Sequence, residues 1–93
     1  MQLDVYPAPS KFIRDLEPKR YKQVVSKVLS LLNNPKPQDS EELSGFSFLR
    51  VDTGEYRIIY SHTDDVVTII IVGKRNDDEV YRELIRNYRQ DKP

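Results

Sequence analysis

The spacing of apolar and polar residues changes period several times along the chain, and each change marks an element. LDVY, at residues 3–6, alternates and stops at Pro7, which predicts a short first strand with a turn over Pro7 to Pro9. Ser10 is then placed to cap a first helix carrying Phe12, Ile13 and Leu16, which Pro18 interrupts. Beyond that proline, Tyr21, Val24, Val25, Val28, Leu29 and Leu32 recur at helical spacing and predict a second helix with one buried stripe. NNPKPQDS ends it, because each proline removes a backbone donor and biases its predecessor away from helical angles.

A period of two then takes over. In GFSFLRVD, Leu49 and Val51 point one way while Phe46, Phe48 and Arg50 point the other. Thr53 and Gly54 form the turn into a partner strand, YRIIYS, and Asp64 and Asp65 mark the next turn. VVTIIIV has six aliphatic residues in seven, which suits a central strand buried on both faces. Gly73 is placed to let that strand turn sharply. DDEVYRELIRNYR, residues 77–89, reads as a closing helix with acids in its first turn and Val80, Tyr81, Leu84, Ile85 and Tyr88 facing inward. EELSG, residues 41–45, reads as a link feeding the hairpin. The expected class is α+β, in the order β-α-α-β-β-β-α, with a helical hairpin packed on a mostly antiparallel sheet and a C-terminal helix.

Composition narrows the chemistry. A chain of 93 residues makes one domain, 1–93, and 38% hydrophobic with 32% charged residues, clustered and periodic, suits a folded soluble protein. The absence of cysteine excludes disulfides and thiolate metal sites and favours a reducing compartment. No apolar run approaches the roughly 20 residues of a membrane span, and MQLDVYPAPS has neither the basic start nor the apolar core of a signal peptide. The expectation is a cytoplasmic protein without membrane partners. The single histidine, His62, lies beside the Asp64–Asp65 turn and reads as an exposed loop residue. With no HExxH spacing and no glycine-rich phosphate loop, neither a metal nor a cofactor is expected.

The formal net charge is zero, but it is unevenly distributed. Residues 11–36 hold seven cations (Lys11, Arg14, Lys19, Arg20, Lys22, Lys27, Lys36) against Asp15 and Glu17, whereas residues 37–65 hold Arg50 and Arg57 against seven acids. A basic helical region on a neutral protein can supply a phosphate-facing patch, and it can equally be a solvated helix face.

On the strands, Arg50 shares a face with Phe48, Arg57 lies on the next strand, Arg75 follows the central strand and Tyr81 begins the last helix. Neighbouring strands lie about 4.8 Å apart, so these side chains can converge if the register allows. Three guanidinium groups and a phenol around one groove would hold a phosphate, because arginine presents a planar fork of donors and stays ionised. RNA brings its own nucleophile, the 2'-hydroxyl; the protein then has to orient it, stabilise charge on phosphorus and move protons. Phe48 offers a flat surface for an unpaired base. Arg57 also has a plainer reading, as a sheet-face arginine paired with Asp52 or Glu55.

LSGFSFLRVDTGEYRIIY followed by VTIIIVGKRNDDEVY resembles the RelE/ParE superfamily of bacterial type II toxins, and more its RelE branch. The resemblance covers nearly the whole chain and rests most firmly on the pair GEYRIIY and VGKRxxxEVY. It implies a toxin held inactive by a cognate antitoxin, with the ribosome and mRNA as further partners, acting as an mRNA interferase, an endoribonuclease that cleaves mRNA in the ribosomal A site and so inhibits translation. It places phosphate-binding and transition-state roles on Arg57 and Arg75, proton handling or base orientation on Tyr81, and a basic groove role on Arg50. Phe48, Lys74 and the helical cations Lys19, Arg20, Lys22 and Lys27 are the expected RNA contacts. Where RelE-like sites often carry two lysines, this chain has Phe48 and Arg50, which leaves no obvious general base, since arginine is a poor proton acceptor. The alternatives are a ParE-like inhibitor of DNA gyrase and a catalytically weakened toxin that acts mainly by binding its antitoxin. The amphipathic final helix is expected to be covered or displaced by that antitoxin.

Overall fold

A computed structural model describes residues 1–76 and 78–88 of the chain. Strand β1 (Gln2–Val5) leads into helices α1 (Pro7–Arg14) and α2 (Pro18–Asn33). Then come β2 (Glu41–Glu42), β3 (Leu49–Thr53), β4 (Tyr56–His62), β5 (Val66–Lys74) and α3 (Glu79–Tyr88). The five strands form one sheet in the order β1-β5-β4-β3-β2, antiparallel except where β1 runs parallel to β5. This is the expected α+β arrangement with one addition. The EELSG stretch does not serve merely as a link: Glu41 and Glu42 pair with Arg50 and Leu49 and form a two-residue edge strand.

The start of α1 differs from its expected position. No turn separates Pro7 from Pro9, and Ser10 is not the cap; Tyr6 is the N-cap and Pro7 occupies the first helical position. The first turn of a helix has no partner for its N–H groups, so prolines there lose nothing, and their fixed φ suits the helix. Pro18 opens α2 in the same way. The buried stripe of α2 is also rotated from the expected one. Val24, Val28 and Leu31 are buried, whereas Tyr21 and Leu29 are exposed. On α3, Val80 and Leu84 are buried and Ile85, one residue and about 100° further round, faces outward. Asp77 and Arg89, the two ends of the expected last helix, lie outside the described residues.

The sheet separates two cores. Ile13, Val24, Val28 and Leu31 from the helical pair pack on Leu49, Val51, Ile58, Tyr60, Val67, Ile69 and Val72. On the other face Val80 and Leu84 of α3 cover Ile59, Ile70 and Ile71. Three adjacent isoleucines can serve both faces because of a bulge. Ile59 pairs with Ile71 while Tyr60 pairs with Ile69, so Ile70 is the extra residue and joins Ile71 beneath α3. As expected of VVTIIIV, β5 is buried on both sides.

Gly73 has a different role from the one expected of it. It lies within β5 rather than at a turn, and among the described residues only Gly45 and Gly54 have positive φ. A Cβ at Gly73 would stand 2.6 Å from Val80 Cγ2, so the missing side chain lets α3 lie close against the strand. No helix among the described residues is long and apolar enough to cross a membrane.

Candidate active site

The hairpin register brings the charged residues together. Thr53 pairs with Tyr56 across the turn at Gly54, which sets Asp52 opposite Arg57 and Arg50 opposite Ile59. Residues 50 and 52 on β3 and 57 on β4 therefore share the face beneath α3, next to Gly73 of β5. The close approach of α3 at Val80 carries the neighbouring Tyr81 over this patch.

Tyr81 joins the two strands. Its hydroxyl oxygen accepts a hydrogen bond from Arg50 Nη1 at 2.9 Å and another from Arg57 Nη1 at 2.8 Å. The Arg57 guanidinium also stands 5.4 Å from the centre of the Tyr81 ring, within cation–π range. Two carboxylates hold the arginines from behind. Asp52 receives Arg57 as a fork, Nε to Oδ1 at 2.8 Å and Nη2 to Oδ2 at 3.0 Å, and Glu41 Oε1 receives Nε of Arg50 at 3.0 Å as well as its Nη2. Arg75 lies at the rim: its backbone N–H donates to the Glu55 carbonyl, and its Nη1 is 4.0 Å from Asp52 Oδ2.

The pairing shows in the ionisation of these groups. The Arg57 hydrogen bonds hold the Asp52 carboxyl below its ordinary range, against a weaker upward push from burial. Asp52 raises the pKa of Arg57, and Glu41, with a smaller contribution from Tyr81, raises that of Arg50. Three guanidiniums against two carboxylates leave the patch with a surplus of one positive charge, preorganised on one face.

The other residues expected to contact RNA are placed elsewhere. Phe48 lies on the same sheet face but is not an open platform: its ring stacks on Phe46 at 5.9 Å and meets the edge of Tyr88 at 5.9 Å. Lys19, Arg20, Lys22 and Lys27 are on α2, which packs against the opposite face of the sheet, so they do not line one groove with Arg50, Arg57 and Tyr81. Two of them are already paired, Arg20 with Glu55 at the hairpin turn and Lys27 with Asp39 at 2.8 Å. Lys74 is exposed at the end of β5, beside Arg75. His62 is exposed at the end of β4. Among the described residues no group of histidine, aspartate or glutamate side chains is arranged to hold a metal ion.

Glu41 was not singled out from sequence, and Asp52 only as one possible partner of Arg57. The turn lies at Gly54 and Glu55, which sets Asp52 opposite Arg57; the turn expected at Thr53 and Gly54 would have set Asp52 opposite Glu55. Nothing local to EELSG announces the strand that brings Glu41 to Arg50.

The model for the ParE toxin of the type II toxin-antitoxin system parDE matches residues 10–79, a span that includes Arg50, Arg57 and Arg75. The chain belongs to the RelE/ParE family of type II toxins. Solved structures agree in fold. A mutant of the E. coli toxin RelE in the free state is 25% identical, with a TM-score of 0.73 over 92% of this chain and 95% of that one. The isolated E. coli RelE toxin is 28% identical, with a TM-score of 0.68 over 90% of this chain and 94% of that one. The archaeal RelE–RelB complex from Pyrococcus horikoshii shares the fold at 24% identity, with a TM-score of 0.70 over 80% of this chain and 93% of that one. No curated protein matches.

Proposed function

We propose that the toxin is an endoribonuclease of the RelE kind, cleaving mRNA on the ribosome with Arg50, Arg57, Arg75 and Tyr81. The observation that carries this reading is the Tyr81 hydroxyl, held by Arg50 and Arg57 on a face where Arg75 also arrives. In the proposed reaction the 2'-hydroxyl of RNA attacks the adjacent phosphorus, and the 5'-oxygen of the next nucleotide leaves. Arg57 and Arg75 neutralise charge on the non-bridging oxygens; Arg57 does so from a fixed orientation because Asp52 holds two of its N–H groups. Tyr81 accepts two hydrogen bonds, which occupies the lone pairs of its oxygen and leaves its own O–H to donate. It therefore serves as the proton donor to the leaving oxygen, and solvent takes the proton of the 2'-hydroxyl.

The α2 cations belong to a second contact under this reading. They face away from the cluster, where Lys19 and Lys22 can meet ribosomal RNA while the α3 face meets the message. A cognate antitoxin is the other proposed partner, as in the E. coli RelBE toxin-antitoxin complex, whose matching chain is 25% identical to this one. Exposed Leu3, Tyr21 and Leu29 border a groove between β1, α1 and α2, and exposed Ile85 on α3 adds apolar surface for such a partner.

Inhibition of DNA gyrase is the second reading. It is favoured by the matching ParE model and by the lack of a lysine where RelE-like sites carry two. Controlled expression followed by mapping of mRNA ends, with a gyrase supercoiling assay in parallel, separates the two. Codon-phased ends that disappear in Arg57→Ala and Arg75→Ala support the nuclease. Blocked supercoiling without new ends overturns it.

A further inference from the structure

Both carboxylates at the cluster touch an arginine, but they are seated differently. Asp52 lies on β3, inside the sheet, with its side chain 32% exposed, and uses both oxygens on Arg57, itself 14% exposed. Glu41 lies on the two-residue edge strand with its side chain 64% exposed, and only its Oε1 is engaged. The next residue, Glu42, is drawn to Lys36 at 2.9 Å, which leaves Glu41 as the acid of β2 at the cluster. An exposed pair of this kind contributes little to folding, and the backbone pairing of Glu41 with Arg50 holds the strand whatever the side chain does.

A guanidinium meets a carboxylate and a phosphate with the same donor fork. Arg50 gives Nε–H and one Nη2–H to Glu41 and one Nη1–H to Tyr81. A phosphate can therefore replace Glu41 without disturbing the bond to Tyr81. We infer that Glu41 is an internal stand-in for an RNA phosphate at Arg50, displaced when RNA binds, and that it thereby sets the toxin's affinity for its substrate. The inference rests on the reading of the cluster as an RNA site. Asp52, half as exposed and bound through both oxygens, is not displaced and acts as a positioning residue for Arg57.

The consequence is that removing the two charges has opposite effects. Glu41→Gln frees a cation for RNA, whereas Asp52→Asn loosens the arginine that RNA needs. The probe is a fluorescent, uncleavable 2'-O-methyl RNA oligonucleotide, titrated by anisotropy over a range of salt. Glu41→Gln is expected to bind about fivefold more tightly at low salt, the upper range for an exposed ion pair. The gain shrinks as salt rises, because salt screens the Arg50–Glu41 pair that RNA has to break in the wild type. The gain disappears in an Arg50→Ala background. On translating ribosomes Glu41→Gln lowers the toxin concentration needed for half-maximal cleavage.

Equal affinity in wild type and Glu41→Gln, including no binding by either, overturns the inference. So does a gain that persists without Arg50, since Glu41 would then act only through long-range charge. Failure of the nuclease reading itself shows separately, as a wild-type toxin that leaves mRNA uncut on translating ribosomes.

Discussion

Tyr81→Phe removes one oxygen and leaves the ring, so it separates the hydroxyl from the packing around it. The lost atom accepts two hydrogen bonds from charged donors, at 2.8 and 2.9 Å. Bonds to charged groups are worth about 1.5–3 kcal/mol each when a partner is left unsatisfied in the interior. Here the cost is smaller, because the Arg50 and Arg57 side chains are 25% and 14% exposed and both keep their carboxylates. A loss of about 1 kcal/mol is expected, or roughly 4–8 °C in Tm for a domain of this size. The effect on chemistry is larger. If Tyr81 protonates the leaving oxygen, its loss slows single-turnover cleavage on pre-bound translating ribosomes by roughly 100- to 10,000-fold. Thermal melting and cleavage, measured on the same preparation, keep the two effects apart. A folded Tyr81→Phe toxin that cleaves within about threefold of wild type refutes the proton-donor role, because a positioned general acid contributes far more than that.

Other perturbations probe other parts of the account. Asp52 has a lowered pKa in the folded protein, so its stabilising pair with Arg57 is complete above the unfolded value of about 3.9 and is lost as pH falls through the folded value. The Tm difference between wild type and Asp52→Asn is therefore expected to be largest at neutral pH and to shrink as the pH drops below about 4; a difference independent of pH would contradict the pairing. Gly73→Ala drives a methyl group to 2.6 Å from Val80 Cγ2 and should cost about 1–3 kcal/mol by overpacking. Val80→Ala in the same chain should return part of that loss, as read by chemical denaturation. Charge reversal at Lys19 and Lys22 should weaken ribosome association in a salt-dependent way and leave cleavage by pre-bound toxin within about twofold, since both lie on the opposite face from Tyr81.

Much of this arrangement was legible in the sequence, for definite reasons. The hairpin signal put Arg50 and Arg57 on adjacent strands but left their register open: Thr53, expected in the turn with Gly54, is the last residue of β3 and pairs with Tyr56, which sets Asp52 opposite Arg57. The apolar density of VVTIIIV made β5 central, and the helical spacing of Val80 and Leu84 brought Tyr81 towards the sheet. What stayed hidden depends on three-dimensional context. Proline reads alike in a turn and in the first turn of a helix, which moved the expected start of α1 from Pro7 to Ser10. Apolar spacing fixes a helix stripe only to within a residue or so, and Leu31 rather than Leu29 proved to be buried. Charge counts carry no information about sides, so the cations of α2 could be expected to contact RNA without any sign that they lie across the sheet from the arginine cluster. The pairing of Glu41 with Arg50 depends on a strand of only two residues, too short to leave a pattern.

The central claim is that this face promotes attack by the RNA's own 2'-hydroxyl, and the chemistry of the severed ends tests it directly. Purified toxin is added to ribosomes stalled on a defined message, and both ends of each cut are characterised. The account predicts upstream fragments ending in a 2',3'-cyclic or 3'-phosphate and downstream fragments beginning with a 5'-hydroxyl, with both absent in Arg57→Ala and Tyr81→Phe. Ends with a 3'-hydroxyl and a 5'-phosphate, or an uncut message from a toxin that blocks gyrase, would contradict it.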